Sequence, residues 1–205
     1  MKKILTVLLL FSIAITFSQT KGNIEMGANI GYNSSIISGD QLAVEYGNGV
    51  NIGLAADYYF SDRWSIKAKL IYDQKGWNKD FYTDDGWETY YPTNINLNYI
   101  TMPVMANWHF ATKRNWYLNF GPYVGFLVSA KETTGGNDVS HIFTSNDFGL
   151  AFGIGVKIPV SDKLKLFLEY DAQSGGTDIL KPNPDQLSAT NVRGAFNVGV
   201  NFLVK

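Results

Sequence analysis

The stretch Trp116–Ala130, WYLNFGPYVGFLVSA, decides how the chain is read. Its even positions, Trp116, Leu118, Phe120, Pro122, Val124, Phe126, Val128 and Ala130, are apolar. The odd ones include Tyr117, Asn119, Gly121, Tyr123, Gly125 and Ser129. Successive side chains of a strand point to opposite faces, so this period of two gives one hydrocarbon face and one mixed face. Strands of globular proteins usually end after about 5 or 6 residues. A strand crossing a bilayer at a tilt needs roughly 9 to 11, with one face against lipid.

Seven more runs show the same alternation: Asn23–Tyr32, Val50–Phe60, Trp64–Tyr72, Ile95–Phe110, Asp147–Val160, Leu164–Tyr170 and Val192–Leu203. In Ile95–Phe110 the apolar set changes phase near Tyr99 and Ile100, which is read as a β-bulge, and Pro103 is a residue a strand interior rarely accepts. The connections alternate long and short. Short turns fall at Ser61–Arg63, Ala111–Asn115 and Ser161–Lys163, and long loops at about 33–48, 74–93, 131–146 and 172–191. An even strand number with short periplasmic turns and long outer loops is the pattern of single-chain outer-membrane barrels. The expected fold class is all-β, an eight-stranded antiparallel up-and-down transmembrane β-barrel comparable in size to OmpA or OmpX.

The composition agrees with sheet, with Gly 20, Phe 13, Tyr 12 and Trp 5 in 205 residues. A net charge of -1 removes any argument for a nucleic-acid partner, which needs a concentrated basic surface, and zero cysteines exclude disulfides, thiolate metal sites and a lipid-modified cysteine. At the N-terminus Lys2 and Lys3 precede an apolar core, Ile4–Phe17, followed by Ser18 and Gln19. This reads as a cleaved signal peptide, residues 1–18, before a barrel domain, residues 19–205, exported to the outer membrane of a Gram-negative cell.

A soluble secreted ligand-binding barrel would carry its apolar face inside. That face holds Phe120, Phe126, Phe148, Phe152, Phe196, Phe202 and three tryptophans, too much volume for an eight-stranded interior. The opposite face is rich in glycine and leaves room for Glu25, Asp57, Lys67, Lys69, Asp73, Lys157, Lys165, Glu169 and Arg193, with Lys131, Asp147 and Asp171 assigned to the same interior. Charges this close in a narrow lumen must pair, so a plugged salt-bridge network is expected in place of a permanent pore. Phe60, Trp64, Trp108, Phe110 and Trp116 flank short turns as an inner aromatic girdle, with Tyr32, Tyr72 and Tyr170 at the outer ends of their strands.

Several stretches, in order, resemble the PorT-like family of small outer-membrane barrel proteins: NLNYITMPVMANWHF from Asn96, NWYLNFGPYVGFLVSAK from Asn115, DFGLAFGIGVKI from Asp147, LKLFLEYDAQSGGTDI from Leu164 and the closing VRGAFNVGVNFLVK. The resemblance spans the mature chain and implies an outer-membrane location. The acidic residue usual between the family's Tyr and Pro is Thr101 here, so no role of that carboxylate carries over. Phe202 resembles the C-terminal aromatic signal read by the barrel-insertion machinery, which is an expected partner during biogenesis alongside outer-membrane lipids.

Chemistry-bearing residues are few. His109 sits beside the inner turn and reads as interfacial; Ser140 and His141, near Asp138, are neighbours that an extended chain points apart. The acidic run Asp80, Asp84, Asp85 and Glu88 lacks the spacing of a calcium loop. Gly153–Lys157 mimics a phosphate loop but no helix follows. No catalytic residue, cofactor or metal is expected. Trp77, Phe81, Tyr82, Trp87, Tyr90 and Tyr91 are candidates for loop contacts with an envelope protein or surface ligand. The expected function is non-enzymatic, through the outer loops in adhesion, surface interaction or an envelope complex. A narrow porin-like channel and a lipid-acting outer-membrane enzyme are the alternatives.

Overall fold

The structure is a computed structural model and describes residues 21–39, 44–83, 90–182 and 187–204; of residues 81–83, 90 and 91 it describes the backbone alone. The expected signal peptide, residues 1–18, lies outside the described residues. Eight strands follow in order: β1 (Ile24–Ser38), β2 (Glu45–Tyr59), β3 (Trp64–Thr83), β4 (Tyr90–Phe110), β5 (Trp116–Glu132), β6 (Asn146–Pro159), β7 (Leu164–Gly175) and β8 (Thr190–Leu203). Each pairs antiparallel with the next, and β1 pairs with β8, closing a barrel without sheet edges.

Two of the three short turns share the sequence Ser-Asp-basic, and they share a geometry. The Ser61 Oγ accepts the Trp64 N–H at 2.9 Å, and the Ser161 Oγ accepts that of Leu164 at 3.2 Å. The serine hydroxyl thus stands in for a backbone acceptor at the start of each turn. The third turn places Ala111 and Arg114 at positive φ, 66° and 51°. Both ends of the described barrel lie with these turns, since Ile24 and Leu203 open and close strands there.

Side chains at alternate positions point out of the barrel, and across its middle these are Ile30, Ile52, Leu54, Leu70, Val104, Leu118, Phe152, Ile154, Leu168, Phe196 and Val198, all exposed. Such a surface is stable only against hydrocarbon. At the short-turn end the rings of Trp64, Trp108, Phe110 and Trp116 form a continuous string with successive centroids 6.3, 5.3 and 6.4 Å apart. Tyr32, Tyr72 and Tyr170 are exposed nearer the other end, Tyr170 packing on Phe196 at 4.9 Å.

The strands are longer than the alternation of apolar residues suggests. Most of the span expected as a loop at 74–93 is strand, because β3 continues to Thr83 and β4 begins at Tyr90. The phase change at Tyr99 and Ile100 is also not a bulge in β4. Odd residues of β4 face inward without interruption from Thr93 to His109. What changes is the medium on each side. Asn94, Asn96 and Asn98 face outward beyond the hydrocarbon, opposite inward Ile95, Leu97 and Tyr99, whereas Met102 and Val104 face lipid, opposite inward Thr101. The bulge lies on β5, where Asn98 pairs with Ser129 but Tyr99 with Leu127, so that Val128 is the extra residue. It reverses the parity of β5, and Ala130, placed on the lipid face by strict alternation, is fully buried inside. Pro103 is accommodated facing inward, opposite Tyr123 on β5.

Candidate functional site: a sealed ionic lumen

The inward faces meet in three tiers. In the tier nearest the short turns, Lys157 on β6 donates to Glu25 on β1 (2.6 Å), Asp57 on β2 (3.0 Å) and the Tyr59 hydroxyl (2.7 Å), and Lys165 on β7 reaches the other Glu25 oxygen at 2.5 Å. Asn107 donates to Asp57 at 3.0 Å. His109 belongs to this tier and is not interfacial: it is fully buried, 3.2 Å from the Ser65 Oγ, its ring tilted 37° to that of Tyr59 at 5.0 Å. The odd parity of β4 turns it inward.

In the middle tier Glu169 on β7 receives Lys69 at 2.5 Å, Lys67 at 3.3 Å and the Asn119 amide at 3.0 Å. Lys67 also lies 4.1 Å from the centre of the Tyr117 ring. Arg193 on β8 binds Asp171 and, through Nε at 3.1 Å, Asp73 on β3, while Lys69 reaches Asp171 at 3.1 Å. An amide ladder, Asn29 to Asn51 and Asn197 and Asn33 to Asp73, fills the rest at 2.8–3.1 Å. Glycines make the room: a Cβ on Gly155 would lie 2.4 Å from the Tyr117 ring, and one on Gly199 would lie 2.6 Å from Phe167. In the upper tier Lys75 bridges to Asp147 at 3.1 Å between the rings of Tyr99 and Tyr123, and Asn191 donates to the same carboxylate.

Above the ions the lumen turns apolar. Ile37, Trp77, Ile95, Leu97, Tyr99, Ala130, Phe143, Ile179 and Ala189 form one buried cluster, with Trp77 edge-on to Phe143 at 5.9 Å. Phe143 comes from the β5–β6 connection and Ile179 from the β7–β8 connection. These two segments pair over the lumen, the Thr144 N–H donating to Ile179 and the Lys181 N–H to Ile142, both at 2.8 Å. Trp77 is therefore not a loop-surface aromatic but part of this seal, 3% exposed, its indole N–H on Asp80 at 2.8 Å. Phe81, Tyr82, Tyr90 and Tyr91 lie on the β3–β4 hairpin with side chains outside the described residues, as Trp87 is entirely. Lys131, expected in the lumen, is exposed because the β5 bulge turns it outward.

Two sequence candidates resolve into structural parts. Ser140 and His141 stand in a short 3-10 turn, Ser140–Ile142, instead of extended chain; the Ser140 Oγ accepts the Ala130 N–H at 3.0 Å, which ties the turn to β5. Gly153–Lys157 is interior to β6. Glu132, which no motif flags, closes the β5–β6 connection on itself: its carboxylate accepts the N–H groups of Asn137, Gly135 and Thr134 at 2.8–2.9 Å and the Thr93 hydroxyl at 2.8 Å. The Asn137 N–H foremost, then the others, hold its pKa down to about 2.

With a closed eight-stranded barrel, a hydrocarbon exterior and a paired-ion interior in view, the comparisons agree. A family model described as "Outer membrane protein beta-barrel domain" matches residues 17–175. The chain belongs to this family. It is an outer-membrane protein, and its partners include the lipids of that membrane. Among solved structures it is similar in fold to Neisserial surface protein A (TM-score 0.54, 16% identity, covering 87% of this chain and 96% of that one). It is also similar to OprG of Pseudomonas aeruginosa (TM-score 0.55, 12% identity, 91% and 97%). No curated protein matches the sequence.

Proposed function

We propose that this outer-membrane barrel is non-enzymatic and non-conducting, and that it acts through its extracellular end, in surface interaction or as a component of an envelope complex. The PorT-like resemblance of its strand sequences is consistent with the second setting. The observation that carries the reading is the double closure of the lumen: three stacked tiers of ion pairs from Glu25 to Asp147, then an apolar seal built by Trp77 and Phe143. A lumen so filled offers neither a solute path nor an open substrate cleft. The long-loop end is acidic in sequence, with Asp40, Glu45, Asp80, Asp84, Asp85, Glu88, Asp138, Asp178 and Asp185 against Lys79, Lys131 and Lys181, which suits a partner presenting basic groups.

Photo-crosslinking residues placed at Tyr46 and Ile142, both exposed at that end, and at Val198 on the lipid face test the proposal in intact envelopes. Discrete protein adducts from the first two positions and none from Val198 are expected. Absence of adducts from Tyr46 and Ile142 contradicts it.

A further inference from the structure

The opposite end of the barrel has its own chemistry. Among the described residues beyond the inner girdle, Lys21, Arg63, Lys113, Arg114 and Lys163 face only Asp62 and Asp162. The excess positive charge concentrates where two turns meet. The β2–β3 and β4–β5 turns are joined by the His109 N–H on the Arg63 carbonyl at 2.7 Å and by Arg114 Nη1 on the Asp62 carboxylate at 3.2 Å. Between them lies a shallow, open recess of about 530 Å³ lined by Lys21, Phe60, Asp62, Arg63, Trp64 and Arg114. Three cations and one carboxylate thus share a concave wall with two exposed girdle rings.

We propose that this recess holds the headgroup of an anionic phospholipid from the periplasmic leaflet, its phosphate facing Lys21, Arg63 and Arg114. The ring positions favour this occupant over a soluble anion. Phe60 and Trp64 sit at the boundary between the hydrocarbon band and the turn, where they flank the glycerol and first acyl carbons of a lipid whose phosphate reaches the cations. Arg114 is held in place by Asp62, and its backbone at positive φ fixes the turn, so one cation of the site is pre-positioned.

The test is a titration of the detergent-solubilised full chain with phosphatidylglycerol, read by native mass spectrometry, with the Lys21→Ala/Arg63→Ala pair compared with Lys113→Ala/Lys163→Ala. None of these exposed side chains builds the lumen, and retention of the barrel is checked by its heat-dependent gel mobility. The expected result is an apparent affinity about tenfold weaker for the first pair, from two lost phosphate contacts, and less than twofold weaker for the second. Equal affinity in wild type and Lys21→Ala/Arg63→Ala, or equal weakening by both pairs, overturns the site. A parallel arm with inorganic phosphate separates the sources: displacement of the lipid by phosphate at equal concentration overturns the lipid assignment.

Discussion

Arg193 shows how much a single lumen residue holds. It lies on β8, is 1% exposed, and ties Asp171 on the neighbouring strand to Asp73 on the far wall of the barrel. Breaking a buried pair leaves an uncompensated charge, so Arg193→Met is expected to cost about 3–5 kcal/mol, read as a lowered urea midpoint in lipid vesicles. Adding Asp73→Asn and Asp171→Asn recovers most of that loss if charge is the cause; no recovery means lost packing dominates. Glu132 gives a pH-dependent counterpart outside the hydrocarbon band. Its carboxyl has a folded pKa of about 2 against an ordinary 4.5, so its hold on the loop is complete above the ordinary value and is lost as pH falls toward 2. Amide exchange at Thr134, Gly135 and Asn137 is expected to be slow and constant from pH 7 to 5, allowing for intrinsic rates, and to lose protection below about pH 4.5. In Glu132→Gln the protection is low throughout.

At the scale of the strand, β4 carries the most informative pattern. Its apolar residues switch faces at Tyr99 while its backbone does not, because water replaces lipid outside and an apolar seal replaces ions inside. Single cysteines are clean reporters in a chain that has none of its own. Asn96→Cys is expected to react with a membrane-impermeant maleimide on intact cells, and Leu97→Cys to react only after unfolding, although they are adjacent. Reaction of both at similar rates contradicts a sealed lumen at this level. Gly155 on β6 tests the interior of the same wall: Gly155→Val drives a side chain into the Tyr117 ring and is expected to cost about 1–3 kcal/mol in the same urea assay. The alternation made strand identity legible in the sequence wherever one face met lipid. Beyond the hydrocarbon that contrast inverts, which is why the upper halves of β3 and β4 resemble a loop. The β5 bulge at Val128 left no mark at all, since Val, Ser and Ala are acceptable on either side of it.

Among the described residues charge falls in three layers: a basic collar at the short turns, a lumen in which Lys67, Lys69, Lys75, Lys157, Lys165 and Arg193 meet Glu25, Asp57, Asp73, Asp147, Glu169 and Asp171, and a far end where Glu45, Asp80, Glu132, Asp138 and Asp178 outnumber Lys79, Lys131 and Lys181. Period-two reading puts nearly all of the ions on the inward face, since parity assigns a face directly. It could not assign partners, because Lys157 meets Glu25 across more than a hundred residues of chain, a proximity created only when the barrel closes. Nor could it reveal the seal, which depends on the β5–β6 and β7–β8 connections folding over the lumen and pairing there. On the seal and the ion tiers together rests the proposal that solutes do not pass through this barrel. Single-channel recording of the purified protein in planar bilayers tests it most directly. A closed lumen gives a baseline without reproducible unitary steps in molar potassium chloride; steps of constant size that recur between preparations would contradict it.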